Sequence, residues 1–115
     1  MAATRSPQAG ADSKELGMSV KVVALVTLKP DADDAFLAAA STCAAASRGE
    51  AGTLHYEIWR ETDGERRVVF NELYVDEEAV EQHMASDHFK AFGRAAADLW
   101  TAPPTIIVTH PVDID

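Results

Sequence analysis

A ferredoxin-like α+β sandwich with element order β-α-β-β-α-β is the fold class this sequence predicts. Three observations carry it. Four segments rich in β-branched and alternating apolar residues read as strands: Val20 to Leu28, Thr53 to Arg60, Arg66 to Val75 and Thr105 to Ile114. Helix-period stretches follow the first and the third of them. The turn Thr62-Asp63-Gly64 joins the middle two as a hairpin.

Taken in order, the first strand ends at Lys29-Pro30, where proline withdraws a backbone donor. Asp31 is the expected cap of the first helix, with Asp33 and Asp34 in its first turn, where negative charge suits the helix dipole. Phe36, Ala39, Ala40, Cys43 and Ala44 make its apolar stripe, and the alanines let it lie close to a sheet. The helix runs to about Ser47, and Gly49 and Gly52 end it. On the second strand Leu54, Tyr56 and Ile58 share one face, opposite His55, Glu57 and Trp59. The third strand places Val68, Phe70, Glu72 and Tyr74 opposite Val69, Asn71, Leu73 and Val75. Both faces carry apolar residues, so the sheet should be covered on both sides, once by helices and once by something outside a single chain.

Asp76 caps the second helix, with Glu77 and Glu78 behind it and Ala79, Val80, His83 and Met84 as its stripe. Ser86-Asp87 breaks and recaps that helix, and Phe89, Phe92, Ala96 and Leu99 continue inward on a third segment. Pro103-Pro104 stops it before the last strand.

Composition narrows the function classes. A chain of 115 residues makes one domain, and 47% hydrophobic content supports a core. The net charge of −9 offers nothing to neutralise phosphates, which excludes nucleic acid, and it disfavours an anionic membrane surface. No apolar run approaches the ~20 residues of a membrane span. The start lacks the basic-then-apolar order of a signal peptide, and the single cysteine, Cys43, cannot form an internal disulfide. A cytoplasmic protein is expected. Residues 1–17, small, polar and without periodicity, are expected to be a flexible extension, or to precede a true start at Met18, with residues 18–115 forming the domain.

From Val20 to about His110 the chain resembles the antibiotic biosynthesis monooxygenase (ABM) domain of the dimeric α/β-barrel superfamily. The residues that carry the resemblance are Gly52 and Tyr56, then Phe70-x-Glu72-x-Tyr74, then Asp76, Ala79, His83 and Ser86-x-His88-Phe89. The resemblance implies a homodimer whose sheets pack face to face, which would supply the missing second cover. It also implies a cavity between sheet and helices, in which a small aromatic or quinol-like molecule reacts with O2 and no cofactor is needed. A haem-degrading branch shares the fold, but its pattern has tryptophan where this chain has His83 and histidine where it has Gly93.

The chemistry such a cavity must perform is removal of a phenolic proton and stabilisation of the anion. His83 is the expected general base, since an imidazole near pKa ~6.5 suits that task. Glu72, on the helix face of its strand, is expected to orient or charge it, although a Glu72–His83 pair would equally satisfy two buried polar groups with no catalytic duty. Tyr56, Phe70, Tyr74, His88, Phe89, Phe92 and Trp100 are the candidate substrate-binding residues. Aromatic residues at such spacing also serve as plain core, and Trp100 as simple packing. His88, beside a helix start, owes its place to the motif rather than to local chemistry. Trp59, on the opposite face, belongs to the expected dimer interface, and Cys43 reads as an inert small hydrophobe.

No metal site is expected. His83 and His88 are five apart across a helix break and need a further ligand. Two other readings stay open at this level. One is an isomerase-like enzyme on a small phosphorylated hydroxyketone, as related proteins handle a phosphorylated autoinducer breakdown product; Arg60, Arg66 or Lys90 would have to face the phosphate. The other is a non-catalytic dimeric barrel that binds a ligand. An apolar cavity would favour the oxygenase, an inward cation the isomerase, and a filled cavity the binding protein.

Overall fold

The computed structural model describes residues 18–64 and 66–114, and the expected extension over 1–17 lies outside the described residues. The elements run β1 (Val20–Thr27), α1 (Asp33–Arg48), β2 (Thr53–Arg60), β3 (Arg67–Tyr74), α2 (Glu77–Ala85), α3 (Asp87–Ala96) and β4 (Thr105–Thr109). The strands form one antiparallel sheet in the order β2-β3-β1-β4. This is the ferredoxin-like arrangement, with the second helix split in two.

Period-two alternation sets the layers. Val20, Val22, Ala24 and Val26 of β1 and Val68, Phe70, Glu72 and Tyr74 of β3 are buried beneath the helices. From α1, Phe36, Ala40, Cys43, Ala44 and Ser47 descend onto them. Phe36 meets Phe70 edge-on at 6.1 Å and Phe92 at 5.6 Å, tying α1, β3 and α3 into one aromatic core. The other sheet face has no cover among the described residues. Val23, Leu25, Val69, Leu73, Trp59 and Ile107 stand on it, with Trp59 58% and Ile107 45% exposed.

Three local expectations are corrected. Asp31 does not cap α1: it has φ +67°, and Ala32 occupies the N-cap position without a side-chain bond. The chain needs a left-handed residue to turn off Pro30, and Asp tolerates that conformation better than most. The last strand stops at Thr109 rather than Ile114, because Thr109 already pairs with Lys21, the second residue of β1. Beyond it there is almost no partner strand, and Pro111 has no donor to offer. Met84 stays 36% exposed, at the margin of the stripe rather than in the core.

The expected caps of the split helix are present. Asp76 accepts from the Ala79 N–H at 2.9 Å, and Ser86 accepts from the Phe89 N–H at 3.2 Å. The Ser86 hydroxyl also donates to the His83 carbonyl at 2.6 Å. One serine thus closes α2, opens α3 and sets the corner between them.

Candidate active site

Between the helix face of the sheet and α2–α3 lies a cavity of about 160 Å³. Two rows of the sheet make its floor. Tyr56, Glu72 and Val22 lie side by side in one row, and Phe70 and Ala24 in the next. His83 enters from α2, and Phe89 and Phe92 from α3. Trp100 closes one end, pinned by its bridge to Leu28 and by the Thr101 N–H donating to the Thr27 carbonyl at 2.9 Å.

His83, Glu72, Tyr56, Phe70, Phe89, Phe92 and Trp100 therefore all line one cavity, as the sequence reading groups them. Tyr74 and His88 do not line it. Tyr74 is wholly buried, and its hydroxyl donates to Glu72 Oε1 at 2.6 Å. His88 lies on the far side of His83, at a groove between α1 and α3 that Thr42 and Ala95 also line.

The expected Glu72–His83 pair is not formed. Glu72 is held by Tyr74, and the carboxylate on His83 is that of Glu50, whose Oε1 and Oε2 lie 3.3 and 3.2 Å from Nδ1. Nε2 of His88 bonds to the same Oε2. Glu50 stands in the turn between α1 and β2, where the Thr53 hydroxyl donates to its Oε1 at 3.1 Å. Glu50 is the functional candidate that sequence reasoning missed. A signal existed: a carboxylate just past a helix C-terminus opposes the helix dipole, so a partner should compensate it.

Gly52 makes this approach possible. A Cβ there would lie 2.5 Å from the Ala79 Cβ, closer than real Cβ atoms come. Only glycine lets the α1–β2 turn press against α2 and carry Glu50 to His83. The Ser86 corner does the rest by bringing the His83 and His88 ring centroids to 5.8 Å.

The family model described as antibiotic biosynthesis monooxygenase matches residues 19–95. The chain belongs to that family. Over 87 residues it is 29% identical to a Bacillus subtilis protein named "Putative monooxygenase YcnE", a match covering 76% of this chain and 92% of that protein. It is 30% identical over 94 residues to the Mycobacterium tuberculosis protein named "Putative monooxygenase Rv0793", covering 82% of this chain and 92% of that one. The solved structure of Rv0793 superposes with a TM-score of 0.78 at 28% identity, covering 84% of this chain and 97% of that chain.

The electrostatics of this ABM pocket follow from the burial of its titratable groups. Burial pushes the Glu72 carboxyl up to about 7, against the Tyr74 hydrogen bond that favours its anion; the Glu50 charge adds to the rise. Burial also holds the His83 imidazole below its ordinary value, opposed by the Glu50 hydrogen bond and charge. Tyr56 and Tyr74 are pushed far above the usual phenol range, by burial first and Glu72 second, so both remain neutral donors. Cys43 is raised as well, chiefly by burial; its sulfur sits 3.8 Å from the Tyr56 hydroxyl and 3.7 Å from that of Ser47. That suits the inert reading of this thiol.

Proposed function

We propose that this ABM-family chain is a monooxygenase that oxidises a small electron-rich aromatic, of the quinol class, with O2 and without a cofactor. The observation that carries the reading is a cavity of apolar and aromatic walls with two titratable groups, His83 and Glu72, in its lining. Its volume of about 160 Å³ suits a single ring: an apolar cavity of about 150 Å³ is known to admit benzene.

The chemistry is written from the chain's own groups. Nδ1–H of His83 donates to Glu50, which fixes the tautomer and leaves Nε2 as the basic nitrogen. Nε2 takes the phenolic proton. The phenolate then supplies electrons to O2, and a C–O bond forms on the ring. Glu72, half protonated near neutral pH, donates to the developing anion rather than repelling it. For a hydroquinone the balance is one quinol plus one O2 giving one hydroxyquinone plus one water.

The chain also acts as a homodimer in this reading, with the uncovered sheet face, including Trp59, Leu25 and Ile107, packed against a second copy. A phosphorylated substrate is not favoured, since no arginine or lysine among the described residues lines the cavity, and Arg60 and Arg66 both face Asp33. The test is an oxygen-electrode screen of purified protein against quinols and phenols with no cofactor added. Uptake of one O2 per quinol is the expected result, and no uptake with any single-ring quinol would refute the reading.

A further inference from the structure

We infer that Glu50, His83 and His88 form a binding site for a divalent first-row transition ion, between the cavity and the α1–α3 groove. Nδ1 of His83, Nε2 of His88 and a carboxylate oxygen of Glu50 all lie within 4.8 Å of one another. At metal–ligand lengths of about 2.1 Å, tetrahedral ligands stand roughly 3.4 Å apart. The 3.2 Å between His83 Nδ1 and Glu50 Oε2 already meets that spacing. Movement of the His88 ring by about an ångström would admit an ion bonded to all three at such lengths.

The chemistry of the set is specific. Two imidazoles and one carboxylate suit zinc, cobalt or iron rather than magnesium or calcium, which prefer oxygen ligands. Three protein ligands leave a fourth position open. The orientation is prepared from outside: Thr53 donates to Oε1 of Glu50, which turns Oε2 toward both histidines. His83 is almost wholly buried, whereas the His88 side chain is 24% exposed and lines the α1–α3 groove, which provides the entry path.

Ion binding has a consequence for the cavity, and that part rests on the proposed function. A metal on Nδ1 of His83 needs that nitrogen's lone pair, so the ring's single N–H proton, now given to Glu50, relocates to Nε2. The cavity-side nitrogen then donates instead of accepting, and His83 no longer serves as a base. The ion is an inhibitor of proton abstraction at this site.

Binding is tested without substrate, so it fails or succeeds independently of the oxygenase reading. Tag-free full-length protein is titrated with Zn2+ by calorimetry and with Co2+ by visible absorption, alongside His88→Ala and His110→Ala. His110 bonds to Glu77 on the surface and is the control for adventitious binding. The expected result is one ion per chain with a dissociation constant of about 10 μM or below, weakened at least tenfold by His88→Ala and unchanged by His110→Ala. In imidazole 15N spectra, Zn2+ should move the protonated nitrogen of His83 from Nδ1 to Nε2. No binding up to about 1 mM, or binding that His88→Ala leaves intact, overturns the site.

Discussion

Nδ1 of His83 stands 3.2 Å from Oε2 of Glu50, a residue 33 positions earlier in the chain. Glu50 is absent from the cavity lining, so the carboxylate approaches the imidazole from outside it, as an orienting group must if the other nitrogen is to do chemistry. His83→Ala should therefore lower quinol-dependent O2 uptake by about 10²–10⁴-fold, the range of a general base. Glu50→Gln keeps the ring but loosens its tautomer and should cost less, about 10–100-fold, the usual effect of losing an orienting partner. Circular dichroism should show both variants folded. Wild-type turnover in His83→Ala would remove it as the base.

Glu72 makes stability depend on pH. Its folded value, about 7, lies above the ordinary 4.5, so the native state binds more protons than the unfolded chain between those values. The stability tied to Glu72 is complete below pH 4.5 and is lost as pH rises through about 7. The loss amounts to up to about 3 kcal/mol. Glu72→Gln preserves an acceptor for Tyr74 and removes the titration. Its denaturation midpoint relative to wild type should rise between pH 5 and pH 8; a flat difference would show that the carboxyl ionises freely. His83 bends the wild-type curve the other way, since its lowered value makes acid destabilising, and the difference between the two proteins cancels that effect.

Gly52 and Ala79 test the packing that carries Glu50 to its place. Gly52→Ala puts a methyl 2.5 Å from the Ala79 Cβ and should cost about 1–3 kcal/mol, the usual penalty of overpacking. Ala79→Gly alone should cost about 1 kcal/mol as a helix substitution. Together they should lose less than the sum, since the glycine vacates the space the alanine takes. Urea titrations of the four proteins give the coupling directly. An additive double mutant would mean that the turn moves aside instead.

The fold was legible because its signals are local. Val20, Val22, Ala24 and Val26 alternate as a half-buried strand must, and Asp76 and Ser86 cap the helices they precede. Seven of the nine candidate site residues reached one cavity because strand alternation and helix stripe each point inward. Glu50 escaped because its role depends on a distance between two elements. A carboxylate in a glycine-flanked turn has no periodicity, and only the close approach at Gly52 shows what it meets. The same blindness affected the histidines. A separation of five across a break puts them on different helix faces in sequence, yet the Ser86 corner folds α3 back so that both reach one oxygen. A shared face pairs Glu72 with His83 in the sequence, whereas Tyr74, two residues along the same strand face, takes the bond.

The uncovered sheet face yields the last prediction. Trp59, on the edge strand β2, is 58% exposed, and Leu25, on the interior strand β1, is 38% exposed. Near them the Asn71 Oδ1 is buried without a partner among the described residues, while its amide and the Trp59 indole both donate to Glu57. A large aromatic edged by a polar network is the composition of an interface core and rim rather than of a solvated face. Light scattering should therefore give a mass near twice the 12.4 kDa of one chain at micromolar concentration. Leu25→Asp places a charge in the centre of that face, where desolvation without a partner costs several kcal/mol. It should yield a monomer with the helix content of the parent, because the aspartate points away from the core beneath α1. A wild-type monomer would leave this face to another partner, and a Leu25→Asp dimer would place the contact elsewhere.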